Sequence, residues 1–223
     1  MSLQRFLTAH TFVLFVCIPV WSQAFGTSVT GNAATSPCGT KTYHETGVRN
    51  NSSGGASSFC RYAVANASST ADLDQGSVGH VNAQSTFYLA PMASASSRVM
   101  TFDTVTLIPP STFNGDQVTF TMVDNYTTSV DNAHVTLCWT IPNLVSDCIT
   151  TTTSTSQGRI SKRVTLQKST SGFHFKVTKR MSGHGVVNFP GPAFGASYAT
   201  TGDPNFTLPT GWTCSFASDR LCQ

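Results

Sequence analysis

The chain is short of charge and nearly empty of glutamate. Only 10% of its 223 residues are charged, against ~25% in ordinary soluble domains. Glu45 is the single glutamate, beside nine aspartates. A glycosidase built on two glutamates is therefore excluded, and an Asp/Glu pair would have to use Glu45. No stretch keeps a clean 3.6 period over ~10 residues, which removes helical bundles and coiled coils. G-x-S-x-G, P-loop, G-x-G-x-x-G and EF-hand signatures are all missing. His44-Glu45 opens like a zincin motif, but Val48 stands where the second histidine belongs. No two cysteines have the C-x-x-C spacing of a zinc clasp. No cofactor or metal is expected, and no catalytic residue is assigned. Asp72, Asp74, Asp124 and Asp131 sit in Asx-rich segments that could offer oxygens to calcium, but backbone capping at turns accounts for them without metal.

In place of charge stand 27 Ser and 33 Thr, with 39% hydrophobic residues. That mixture suits a secreted β-rich domain with a polar, weakly charged surface, because threonine is β-branched and fits a solvated strand face. Residues 1–24 read as a signal peptide. Arg5 supplies the positive start, Phe6 to Val20 is mostly apolar, and Ser22 and Ala24 offer small residues at −3 and −1. The apolar run is interrupted by Thr8, His10, Thr11 and Pro19 and falls short of the ~20 residues of a membrane span. The expected location is outside the cytoplasm, extracellular or periplasmic, with no transmembrane segment in the mature chain.

Cys17 would leave with the signal, and six cysteines remain. An even number in an exported chain suggests disulfides. A hairpin turning at Pro142-Asn143 sets Cys138 opposite Cys148, where a non-hydrogen-bonded pair has its Cα atoms ~4.5 Å apart. Proximity in sequence adds Cys38–Cys60 and Cys214–Cys222. Sequons at Asn50, Asn51, Asn66, Asn125 and Asn205 are little above what this composition produces by chance.

Apolar alternation marks strands at Phe59 to Asn66, Ser77 to Leu89, Val99 to Ile108, Gln117 to Asp124, Ala133 to Ile141, Arg159 to Lys168 and Gly172 to Met181. Met100 and Phe102 fall out of phase with Val105 and Leu107, which predicts a bulge. Turn signals stand at Pro109-Pro110, Asn114-Gly115, Asp131-Asn132, Pro142-Asn143 and Ser169 to Gly172. The expectation is seven to ten antiparallel strands in a disulfide-stabilised β-sandwich, jelly-roll or immunoglobulin-like, over residues 37–223. Residues 25–36 read as a flexible lead-in, Asn50 to Ser58 as a mobile loop, and Thr150 to Gln157 as an exposed edge or a linker.

Charge is segregated along the chain. Val99 to Gly158 holds five aspartates and no Lys or Arg. Arg159, Lys162, Arg163, Lys168, Lys176, Lys179 and Arg180 follow in a stretch free of acids. On a hairpin, Arg163, Lys176 and Arg180 would share a polar face, a basic ridge for an anionic polysaccharide or cell-surface glycan. Two plainer roles compete: basic residues guarding a sheet edge, or pairing with the acidic middle strands. Nucleic acid is disfavoured, since no aromatics are interleaved for base stacking. Trp212 and Tyr126, placed near loops, are candidate platforms for sugar rings, with packing against the last disulfide as the alternative for Trp212. The histidines His44, His80, His134, His174 and His184 have no ligand-like spacing.

Three functions follow. The first is a non-catalytic exported protein of surface binding, adhesion or extracellular matrix. The second is a carbohydrate-binding module for acidic glycans. The third is an exported hydrolase or metal enzyme using Glu45 with Asp or His partners. Oligomeric state is not legible.

Overall fold

The computed structural model describes residues 24–36, 38–60, 63–73, 77–85, 93–131, 133–152, 154–187, 193–202, 204–220 and 222. Apart from Ala24, the expected signal peptide lies outside them. The described chain is all strand and turn: β1 (Phe25–Thr35), β2 (Gly39–Gly47), β3 (Asn51–Cys60), β4 (Ala63–Asp72), β5 (Ser77–Ser85), β6 (Ala93–Ile108), β7 (Gln117–Asp131), β8 (Ala133–Ile141), β9 (Val145–Thr151), β10 (Ser154–Gln167), β11 (Phe173–Val187), β12 (Ala193–Thr201), β13 (Asn205–Thr207) and β14 (Thr213–Phe216). They form two antiparallel seven-stranded sheets. The first runs β2-β1-β6-β11-β8-β9, with β14 also on β6; the second runs β10-β7-β12-β5-β4-β3, with β13 on β7. No helix of the described residues is long and apolar enough to cross a membrane.

Several elements differ from the sequence reading. The lead-in 25–36 is β1, paired along its length with β2 and β6, with Val29 and Ala33 fully buried. The loop at Asn50 to Ser58 is mostly β3, and the strand expected at Phe59 to Asn66 is divided between the end of β3 and the start of β4, where Cys60 pairs with Ala63. β1 buries Thr27, Val29, Ala33 and Thr35, and β3 and β4 bury mainly alanine and serine, so their alternation is faint to hydropathy. The bulge in β6 does not form. The strand keeps one phase, with Thr101 and Asp103 buried between Val99 and Val105 and with Met100 and Phe102 turned outward.

The hairpin expected from Arg159 to Met181 is not a ladder. The Ser169–Gly172 turn closes with two reciprocal backbone bonds, and Gly172 takes a left-handed φ of 111° there. The strands then part. β10 pairs with β7 at an edge of the second sheet, and β11 lies between β6 and β8 in the first.

The three expected disulfides are formed, with Cα–Cα distances of 5.5 Å (Cys38–Cys60), 4.1 Å (Cys138–Cys148) and 5.4 Å (Cys214–Cys222). Such bonds persist in an oxidising compartment. Cys138 and Cys148 are directly opposed in the β8–β9 hairpin, which turns through Asn143 at φ 62°.

The interlayer space has two unlike ends. At one, Phe120 stacks on Phe175 at 5.0 Å with Phe206 edge-on to both, and Trp212 lies edge-on to Phe113 and Phe173 at 4.7 and 5.2 Å. Each such ring contributes ~1.5–3 kcal/mol by leaving water. The other end is built of Ala33, Ala56, Ala63, Ala65, Ala67, Ala93 and Ala95. There β1 comes within 8 Å of β3 and β4, Cα to Cα, across the layer, closer than the ~10 Å of ordinary face packing. Hydroxyl pairs join the sheets, Thr27 to Ser52 at 2.7 Å and Thr35 to Ser58 at 2.8 Å. Tyr43 fills the remaining space, its ring lying 2.6 and 2.4 Å from where a Cβ on Gly31 or Gly54 would stand. Burial raises the pKa of its hydroxyl, against a smaller opposing effect of the hydrogen bond with Ser69. Cys38–Cys60 staples this thin end, a restraint worth ~3 kcal/mol by chain entropy.

Candidate binding face on the first sheet

Because β10 and β11 lie in different sheets, the basic stretch is divided four ways. Arg163 points outward from the second sheet, in phase opposite to buried Ile160, Val164 and Leu166. Lys162 reaches across the open side of the sandwich to Asp147 on β9, at 2.9 Å. Lys176 and Arg180 project from the outer face of the first sheet. Lys179 points inward and is 4% exposed.

Lys179 belongs to a buried polar layer. Its Nζ lies 4.0 Å from Asp124 Oδ2 and donates to the Gly202 carbonyl. Trp139 Nε1 donates to the same Asp124 oxygen at 2.5 Å. Nearby, Asp103 accepts from Ser218 at 2.5 Å and pairs with Arg220 at 3.3 Å. Arg220 also donates to the Leu73 carbonyl and covers the Phe216 ring at 4.2 Å. Asp124 with Lys179 and Asp103 with Arg220 thus tie together elements of both sheets. The pairing of basic residues with the acidic middle strands is realised at Lys162 and Lys179.

The outer face of the first sheet is different. Cross-strand register sets the outward residues in rows. One row holds His44, Thr30, Arg98 and Ser182; the next holds Asn32, Ser96, His184 and His134; another holds Met100, Arg180 and the Cys138–Cys148 bridge. Lys176 and His174 lie further along β11, with the Lys176 ammonium 3.9 Å from the Phe102 ring centroid. Among the described residues no carboxylate falls on the outward phase of β1, β2, β6, β8, β9 or β11: Asp103 is buried, Asp147 turns to Lys162, and Glu45 bonds Arg49 at 2.6 Å and the Ser53 amide at 2.9 Å, while exposed Asp219 stands off these strands in the turn after β14. Three fixed cations and four imidazoles therefore act together, with no anion between them to cancel the field.

Within this face lies a groove of about 240 Å³, lined by Thr30, Ser96, Arg98, His134, Ser182 and His184, with Gly31 and Gly183 along its floor. The floor is low because the row of residue 31, Ser97 and residue 183 sends its side chains, where it has them, toward the core. His134 and His184 are directly opposed on β8 and β11, ring centroids 5.3 Å apart. The His184 pKa is held below its ordinary value, first by burial and then by the charge of His134.

The aromatic candidates are elsewhere. Trp212 is 9% exposed and packed among Phe113 and Phe173, so it offers no stacking face. Tyr126 is not near a loop tip but inside β7, its ring 6.2 Å from Trp139 and over Gly158, where a Cβ would meet the hydroxyl at 2.3 Å. Of the five predicted ligand-binding residues, only Lys176 and Arg180 share a surface. Arg98 escaped the sequence reading, and His134 and His184 entered it only as histidines without ligand-like spacing, because their convergence depends on strand register between β6, β8 and β11, which no local pattern encodes. Among the described residues no group of three or more His, Cys, Asp or Glu is placed to hold a metal ion. Comparison with protein-family models and with curated proteins finds no match for this chain.

Proposed function

We propose that this is an exported, non-catalytic surface-binding protein whose partner is an acidic glycan, and that it docks through the outer face of the first sheet. The observation that carries the reading is the collection of Arg98, Lys176, Arg180 and four histidines on one face, with no carboxylate among the described outward residues of its long strands. Such a face attracts sulfated or uronate-bearing chains from a distance and holds them by charge-assisted hydrogen bonds. The N-terminal signal pattern and the three disulfides favour secretion. An adhesion or matrix role follows from a broad, shallow face better than from a deep cleft.

Retention on immobilised heparin tests the reading. The wild-type chain is expected to bind at low salt and to elute as salt rises. Replacing Arg98, Lys176 and Arg180 together by Ala should abolish retention, while Arg159→Ala with Arg163→Ala on the other sheet should leave most of it. Equal losses from both variants would remove the first sheet from its role.

A further inference from the structure

We propose that the groove between Arg98 and the His134–His184 pair is the seat of one sulfate or carboxylate group of the acidic glycan, and that seating it is coupled to proton uptake by the pair. This deepens the proposed function and rests on it.

The argument begins with shape. A volume of about 240 Å³ equals roughly eight waters at ~30 Å³ each, so an anionic group enters together with part of its ring. Arg98 supplies a planar guanidinium that binds a sulfate or carboxylate through two parallel bonds. Ser182 and Thr30 bring hydroxyls to the same row, and Ser96, which donates to Asn32 Oδ1 at 3.1 Å, stands opposite His184.

The proton argument depends on every charge that faces the pair. From β2 comes His44, from β6 Arg98, from β8 His134 itself, and from β11 Arg180, with Lys176 and His174 beyond it; β1 and β9 bring no titratable side chain to this face. All of these are cationic or neutral. Without a ligand, protonating His184 is opposed first by burial and then by His134, whose ring lies 5.3 Å away. An anion in the groove reverses the sign of the local field and favours the imidazolium form, which then donates to it. By linkage, an anion that raises the affinity for protons binds more tightly as pH falls.

The test is calorimetric titration of the disulfide-bonded chain with a sulfated oligosaccharide and, separately, with an oligouronate, at about pH 7.5 and about pH 5.5, either side of the ordinary histidine pKa. The expected result is an affinity about tenfold higher at the lower pH, within the usual span of coupling between sites. The two ligands separate sulfate from carboxylate as the preferred group. His134→Gln with His184→Gln should flatten the pH dependence, bringing the affinities at the two pH values together, and His134→Gln alone, at an exposed position, should lessen it. Arg98→Gln should weaken binding at both pH values. Absence of binding by wild type at either pH would overturn the glycan reading itself. Binding that is independent of pH, or a pH dependence that survives in the double-histidine variant, would overturn only the groove assignment. So would Zn²⁺ binding lost in that variant, if the oligosaccharide affinity did not respond to pH.

Discussion

β10 and β11 are consecutive, similarly basic and joined by a four-residue turn, yet they do different work. β10 is an edge strand whose Arg163 looks out from one sheet while its Lys162 bonds Asp147 across the open side. β11 is central in the other sheet; it sends Lys176 and Arg180 to the opposite surface and Lys179 into the core. Seven basic residues close in sequence therefore make neither one ridge nor one edge guard. A cluster of charge becomes a surface only where register in three dimensions keeps it together. On the first sheet that register recruits Arg98 and the histidines, which come from separate parts of the chain.

The contrast is sharpest at Lys179. Lys179→Met removes one member of a buried ion pair and should cost about 3–5 kcal/mol, whereas Arg163→Ala and Lys176→Ala, at the surface, should stay within about 1 kcal/mol. Urea unfolding of the three variants checks this. A Lys179→Met variant as stable as the surface variants would mean that the buried layer carries no structural charge pair.

A smaller effect concerns pH. The folded pKa of His184 lies below the 6.5 of an unperturbed histidine. The unfolded chain therefore takes up the proton first as pH falls through that value, and the folded state loses stability over this window. In the absence of anionic ligands, the melting temperature should drop between about pH 7.5 and about pH 5.5, and His184→Gln should lessen the drop. An unchanged slope in that variant would move the effect to another histidine.

The smallest effect belongs to the partly exposed Lys162–Asp147 pair. Lys162→Ala should cost only about 0.2–1 kcal/mol and less still in high salt. A larger loss in urea unfolding would show that the edges depend on this bridge to stay closed.

Much of the fold was legible. Val118, Phe120 and Met122, then Ile160, Val164 and Leu166, then Phe173, Phe175 and Val177 alternate because one face of each strand is buried under large apolar groups. The Cys138–Cys148 bridge followed from hairpin symmetry about Asn143. β1, β3 and β4 were hidden because the thin end of the sandwich is filled with alanine and closed by hydroxyl pairs, so its strands have the composition of loops. The β10–β11 division was hidden for another reason. A tight turn looks the same whether the strands after it pair or separate into two layers. Asp103 broke the apparent phase of β6 because a buried carboxylate answered by Ser218 and Arg220 reads, in one dimension, as a solvent-facing residue. The proposed binding face was half legible: Lys176 and Arg180 stand in the basic stretch that the sequence shows, whereas the grouping of Arg98, His134 and His184 needed the sheet.

The division of charge between the two outer faces is examined most directly by amide chemical-shift mapping of the ¹⁵N-labelled chain with a sulfated oligosaccharide. The largest shifts are expected around Ser96, Arg98, His134, Arg180 and His184, with Ser161 to Thr165 of β10 unaffected. Shifts centred on Arg159 and Arg163, with a silent first sheet, would contradict the account.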